Sequence, residues 1–254
     1  MKSLIVTGDD FGRSHEVNEA IERCHDAGFL TQASLMVNEP CAEEAVRIAK
    51  RRPTLCVGLH LTLCDGRASA VSAITDASGE FASSPARSGA RYAFQTSLAG
   101  PLSREIRAQF ERFRVFGLPP TYWDGHAHLH LNPTILRLTL PTAIAEGFRA
   151  TRVVREPGPP ALLPWIFEAL SRAALPALQR YNIAFTDHVF GLRDTGRMTT
   201  DTITRIVENL PDGVSELYFH PGAEPGNVEA VALAKLLRKN GITPRTAPPP
   251  APGR

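Results

Sequence analysis

The sequence predicts a single-domain α/β fold, a parallel (β/α) barrel of about seven strands that is incomplete or distorted. Three observations point there. Apolar runs of strand length alternate with segments of helical period, the pattern of a parallel sheet with crossover helices. The 254 residues, 43% of them hydrophobic, can bury the core of one such domain. Clusters of Asp and His follow several of the apolar runs, and the carboxyl-terminal edge of a parallel sheet is where such folds do chemistry.

The first strand, residues 3–7, runs into Gly8-Asp9-Asp10-Phe11-Gly12, which sets two carboxylates where a buried strand gives way to a turn. Adjacent acids can also serve as turn and cap residues, and Ser14 opens a helix over 14–27. A strand at 33–37 and a helix at 42–51 follow. The third strand, 56–61, carries Gly58-Leu59-His60-Leu61. Residues 65–100 are rich in Ala, Ser, Gly and Arg with little periodicity and read as a long excursion; one of that length inside a domain acts as a lid or is disordered. A helix over 103–116 leads to a strand at 121–123 and then to Asp124-Gly125-His126-Ala127-His128-Leu129-His130. Helix 133–146, strand 150–154 and helix 162–180 come next, with a proline-rich connection between the last two. Weaker strands lie near Phe185 and Ile242, flanking helix 200–209, strand 216–219 and helix 228–239. The strand at 216–219 ends in His220-Pro221-Gly222. The domain spans 1–245, and 246–254 is a proline-rich disordered tail.

The formal charge of +2 comes from 28 basic and 26 acidic residues spread without a dense Lys/Arg block, so nucleic acid is not an expected partner. Four cysteines, Cys24, Cys41, Cys56 and Cys64, form no C-x-x-C pair, which reads as free thiols in a reducing compartment. The short apolar run at the start meets Asp9 too soon for a signal peptide or a membrane span. A cytoplasmic location is expected.

A hydrolytic metal site needs imidazole and carboxylate ligands, an open position for water and a base not tied to the metal. Asp9, Asp10, His60 and His126 can supply that set, and residue types alone let the two aspartates exchange roles. Taken singly, His60 could be a core histidine satisfied by a hydrogen bond, and His220 a loop histidine before a turn. His126, His128 and His130 alternate, which on an extended segment points all three to one side. One of the three is expected to do supporting work.

These four segments, in order, resemble the signature segments of the YdjC-like carbohydrate deacetylases, which include chitooligosaccharide deacetylases. The resemblance spans residues 3–240. Ala33-Ser34-Leu35-Met36-Val37, Arg91-Tyr92-Ala93-Phe94, Asp187-His188-Val189-Phe190-Gly191-Leu192 and Gly196-Arg197-Met198-Thr199 are similar to the hopanoid-associated HpnK branch. The resemblance implies one divalent metal ion, Zn or Mg, held by Asp10, His60 and His126. It makes Asp9 the base and His220 the acid that protonates the departing amine. Arg152 matches an arginine near the base, with Arg155 as its neighbour in sequence. His128, His130, Asp187 and His188 contact substrate or support the ligands. Gly125 and Ala127 depart from the family pattern, which has bulkier polar residues there. The implied reaction removes an acetyl group from an N-acetylglucosamine-type sugar, an N-acetylglucosaminyl hopanoid in that branch or a chitooligosaccharide otherwise. The implied partner is an N-acetylated sugar or glycolipid, with transient contact at the inner membrane face and a homodimer both compatible.

Two other readings compete. A metal phosphoesterase or amidohydrolase usually places its histidine pair on the first strand, where this chain has two aspartates. A non-catalytic carbohydrate- or lipid-binding protein on the same fold would not need the full set of catalytic residue types. In helix 162–180, Leu162, Trp165, Ile166, Ala169, Leu170 and Ala173 share one face, Leu163, Phe167 and Ala174 widen it, and Pro176 is expected to end or kink the helix.

Overall fold

In the computed structural model, which describes residues 2–223 and 228–246, a parallel sheet curls around its own interior with helices outside. The elements are β1 (Lys2–Phe11), α1 (His15–Asp26), β2 (Gln32–Leu35), α2 (Ala42–Arg51), β3 (Cys56–Leu61), α3 (Pro85–Phe94), α4 (Ala99–Val115), β4 (Tyr122–Gly125), α5 (Pro133–Ala145), β5 (Ala150–Thr151), α6 (Leu162–Arg180), β6 (His188–Phe190), α7 (Thr200–Glu208), β7 (Gly213–Phe219), α8 (Ala230–Lys239) and β8 (Thr243–Pro244). The strand order is β5-β4-β3-β2-β1-β7-β6, with β8 pairing β1. Every ladder is parallel. The two edges meet through a bridge between Ala150 and Ala184 and a bond from Val189 N to Arg155 O of 3.1 Å. The result is the expected distorted barrel of seven main strands.

β1 is central. Its ladder with β7 runs from Lys2–Gly213 to Gly8–Phe219, and apolar Leu4, Ile5 and Val6 are fully buried. The strand does not stop at Thr7, because β2 continues to pair with it as far as Phe11, across a register shift between Gly8 and Phe11. Within that bulge Asp10 takes a φ of 64°. Consecutive residues of a regular strand face opposite sides; the bulge cancels that alternation, so Asp9 and Asp10 can both turn inward.

β3 and β4 approach closely at Gly58. A Cβ there would lie 2.5 Å from the Tyr122 backbone oxygen and ring. Gly58→Ala is expected to force the two strands apart and destabilise the protein by about 1–3 kcal/mol, read as a lowered midpoint in urea denaturation with an unchanged slope.

The excursion over 65–100 carries structure its composition did not announce. It holds bridges between Arg67 and Glu80 and between Thr75 and Phe81, then α3, whose N-cap Ser84 accepts from Arg87 N and whose first turn starts with Pro85. Both are standard start signals hidden in an Ala/Ser/Arg-rich stretch.

Other expectations need correction. The strand at 150–154 is only two residues long, because the Arg152 carbonyl bonds His130 Nε2 at 2.9 Å in place of a ladder partner. The strand expected near Phe185 forms at His188–Phe190. α6 runs through Pro176 to Arg180; the carbonyl that proline leaves without an N–H belongs to exposed Arg172, where water can serve. The tail expected over 246–254 lies, after Thr246, outside the described residues. Among the described residues no helix is long and apolar enough to cross a membrane.

Candidate active site

Three strands deliver the cluster at the carboxyl edge. Asp10 Oδ1 lies 2.9 Å from His126 Nδ1 and 3.3 Å from His60 Nε2. One ligand atom from each of the three residues lies within 4.8 Å of the others. Asp10 and His60 are buried, and the His126 side chain is 12% exposed, so the cluster opens on one side. Burial works against charge on all three, yet their mutual hydrogen bonds win: Asp10 sits well below the usual carboxylate value, His126 is raised, and His60 is pushed up to about 10 by Asp124 and Asp10. The pocket therefore draws positive charge. Two imidazoles and a carboxylate facing one point fit a divalent cation, which would take the place of those protons.

Asp124 is directly opposite His60 in the β3–β4 register, and its Oδ1 is 2.7 Å from His60 Nδ1. That bond fixes which ring nitrogen faces Asp10. The other Asp124 oxygen accepts from Ser34 Oγ at 2.8 Å and pairs with Arg152 Nη2 at 2.9 Å.

Arg152, 1% exposed, is the hub behind the cluster. Its Nη1 and Nη2 bond the two oxygens of Asp9 at 2.7 and 2.8 Å. Its Nε bonds Glu216 Oε1 at 2.9 Å, and Glu216 also accepts from Thr7 Oγ1 at 2.9 Å. The guanidinium stacks 4.5 Å from the Tyr218 ring centroid. Arg155 instead reaches Thr186 O, so Arg152 is the arginine at the site.

The histidine segment departs from the extended form expected of it. His126–Leu131 is a 3-10 turn in which Ala127 and His128 have φ of 51° and 57°, so the three imidazoles do not share a side. Only His126 faces Asp10. His128 Nε2 meets Tyr218 Oη at 2.9 Å, and His130 folds beneath the Arg152 backbone. Burial lowers both, His130 to about 4. His130 doubles back on Gly125: a Cβ there would be 3.0 Å from that side chain, which would have to give by a few tenths of an ångström.

A pocket of about 670 Å³ brings together Asp9, His126, His128, Tyr218 and His220 on one side and Leu163, Ile166, Phe167 and Leu170 of α6 on the other. Pro85, Ala86 and Gly89 of α3 also line it. α3 is tied down by Asn132 Nδ2 to Gly89 O at 3.0 Å. Asp65, the first residue of the excursion, pairs with Arg13 at 2.9 Å and approaches His126 Nε2 at 3.5 Å. His220 sits with its ring edge-on to Tyr218 at 6.1 Å. Asp187 and His188 are not brought to this pocket. Asp187 accepts from Val214 N at 2.9 Å, at the amino-terminal end of β7, and both line a separate groove.

Sequence reasoning passed over Asp124, Glu216, Tyr218 and Asp65. A signal existed for Glu216, a lone acid inside the apolar run that forms β7.

The architecture and the sequence have known counterparts. A carbohydrate deacetylase of Brevibacillus brevis is 35% identical over 221 residues, covering 86% of this chain and 80% of the relative. A chitooligosaccharide deacetylase of Serratia marcescens is 33% identical over 153 residues, 58% of this chain and 57% of that one. A crystal structure from Enterococcus faecalis V583, proposed to be a cellobiose-phosphate cleavage protein, has a TM-score of 0.70 at 20% identity, covering 96% of this chain and 97% of its own. At that identity the likeness is one of fold. The YdjC-like protein family matches residues 3–245, from the first strand of the sheet to the last, and the chain belongs to it.

Proposed function

We propose that the protein is a metal-dependent hydrolase that removes the N-acetyl group from an N-acetylglucosamine-type sugar. The observation that carries this reading is the convergence of Asp10, His60 and His126 beside an aspartate, Asp9, that an arginine holds by both oxygens. The carbohydrate and chitooligosaccharide deacetylases among its relatives supply the substrate class.

Asp10, His60 and His126 would hold a divalent cation, which would supply Lewis acidity toward the acetyl carbonyl and toward water. Two imidazoles with one carboxylate suit zinc better than magnesium, which prefers oxygen ligands and water. Asp9 takes the proton of the attacking water; Arg152 occupies one lone pair on each oxygen and leaves the others to accept. His220, lining the same pocket, gives a proton to the sugar nitrogen as the C–N bond breaks. α3 covers the pocket as a lid, restricting water and shaping the sugar site.

Acetate release from a panel of N-acetylglucosamine-bearing oligosaccharides and glycolipids, with and without chelator, tests the reading. No release from any member with metal present would leave the non-catalytic binding protein. His126→Ala is expected to cut bound metal, measured by elemental analysis of the purified protein, to well under half of wild type. It should abolish chelator-sensitive activity. Full metal content in that variant would move the cation elsewhere.

The finer substrate we propose is a glycolipid of the N-acetylglucosaminyl hopanoid type, with a chitooligosaccharide as the alternative. The apolar wall favours it: Leu163 is 52% exposed yet lines the pocket together with Phe167, and large exposed apolar surface marks a contact. A cytoplasmic protein touching the inner membrane face fits this substrate. Leu163→Ser and Phe167→Ser should reduce turnover of a membrane-embedded glycolipid roughly tenfold, one buried aliphatic contact's worth, and spare a soluble N-acetylglucosaminide. Equal losses on both substrates would remove the lipid assignment.

A further inference from the structure

α6 is a ridge between two concavities. Leu163, Ile166, Phe167 and Leu170 face the catalytic pocket, while Leu162, Trp165 and Glu168 line a second groove of about 790 Å³, within the size range of ligand sites. We propose that this second groove binds a neutral saccharide unit, with Trp165 as its stacking face and Arg155 and Arg193 as its donors.

Trp165 is 66% exposed, an uncommon state for the largest aromatic side chain. Its neighbours in the groove combine prolines with the charged side chains of Arg155, Glu156, Glu168, Asp187 and Arg193. Residues 157–160, Arg155, Arg193 and His188 line the same groove. Both arginines are half-buried, and the buried Nε of each lacks a partner among the described residues. Arg155 makes one long bond, 3.3 Å, to Thr186 O. Arg193 is seated by Gly158: a Cβ at that residue, whose φ is 147°, would lie 2.8 Å from Arg193 Nε. A glycine in that conformation keeps the guanidinium against the proline-rich wall.

Charge decides the kind of ligand. Two guanidiniums face Glu156, Glu168 and Asp187 in the same groove, so there is no net positive field to hold a free anion. Glu156 accepts from the backbone N–H groups of Gly191 and Arg193, and Glu168 pairs with Arg172 at 2.7 Å. The groove thus offers an aromatic face, planar donors and carboxylate acceptors side by side. A pyranose matches that set, with a C–H face that lies on an aromatic ring and hydroxyls that both donate and accept. Beyond the deacetylase reading, and resting on it in this one respect, a substrate with several sugar units could cross the α6 ridge and occupy both sites.

The test is a binding measurement that needs no turnover. The chain has two tryptophans; Trp123 is fully buried, so a ligand in the groove changes the emission of Trp165. Wild-type protein is titrated with cellotetraose, maltotetraose and N-acetylchitotetraose, with inorganic phosphate as a separate arm. At least one saccharide should shift or quench the emission saturably. By calorimetry Trp165→Ala should weaken that saccharide roughly tenfold or more and Arg193→Gln about three- to tenfold, while both variants keep wild-type acetate release from a single-sugar N-acetylglucosaminide. Saccharide binding that Trp165→Ala leaves unchanged, no response to any of the three, or phosphate binding more tightly than every saccharide would overturn the proposal. Because cellotetraose and maltotetraose carry no acetyl group, their binding stands or falls separately from deacetylation.

Discussion

Replacing Asp9 by Asn is expected to lower turnover by roughly 100- to 10,000-fold, the range for a lost general base, while the protein stays folded and loaded with metal. The amide is nearly isosteric with the carboxylate but cannot take a proton from water at neutral pH. Arg152 loses its bidentate partner, yet Asp124 and Glu216 still neutralise it, so the fold should survive. The measurement is kcat at saturating substrate and metal, alongside metal content and circular dichroism. Wild-type-like kcat would assign the base to another residue. His220→Ala should also depress turnover, with fold and metal content unchanged, because His220 follows the last residue of β7 and lines the pocket outside the Asp10, His60 and His126 ligand set.

Arg152→Met is expected to cost about 3–5 kcal/mol of stability, the range for removing one partner of a buried charge cluster. Three carboxylates converge on that side chain at 2.7 to 2.9 Å, and methionine fills the volume without answering any of them. Arg152→Lys should recover part of the loss, since an ammonium restores charge but cannot fork to both oxygens of Asp9. Urea denaturation of the three proteins, with Glu216→Gln as a control that removes the charge of one of the three acids, measures the effect. A loss below about 1 kcal/mol in Arg152→Met would mean that water replaces the guanidinium and that the network contributes little.

Much of the barrel was legible because its signals are local. The buried runs at Leu4, Val57 and Leu217 and the helical periods between them depend on neighbours in sequence. The convergence of Asp10, His60 and His126 was legible through a resemblance of ordered segments. What escaped notice depends on register and on turns of the backbone. Asp124 supports His60 only because β3 and β4 align those two residues, a fact of pairing that no single segment states. The alternation of His126, His128 and His130 implied an extended strand, and two left-handed residues undid it. α3 lacked an apolar stripe because it buries only Ser88 and Tyr92; a helix that rests on the domain through two side chains leaves little trace in hydrophobic period. Asp187 and His188 belonged to a segment that resembles the family, and their place at the far end of β7 shows that a shared segment need not be a shared site.

The ionic interior has a consequence for how the chain reaches its final state. Most barrels of this kind fill the lumen with branched aliphatic side chains, which tolerate partial assembly because any apolar neighbour serves. Here the lumen charges come from β1, β4, β7 and the segment just after β5, and Asp9 and Glu216 meet the guanidinium of Arg152 only when that last segment has come round beside β1 and β7. A sheet missing one edge would trap an unpaired ion away from water, at a cost of several kcal/mol. Closure of the barrel and assembly of the catalytic residues are therefore one event, and species that are compact but inactive should be scarce during refolding.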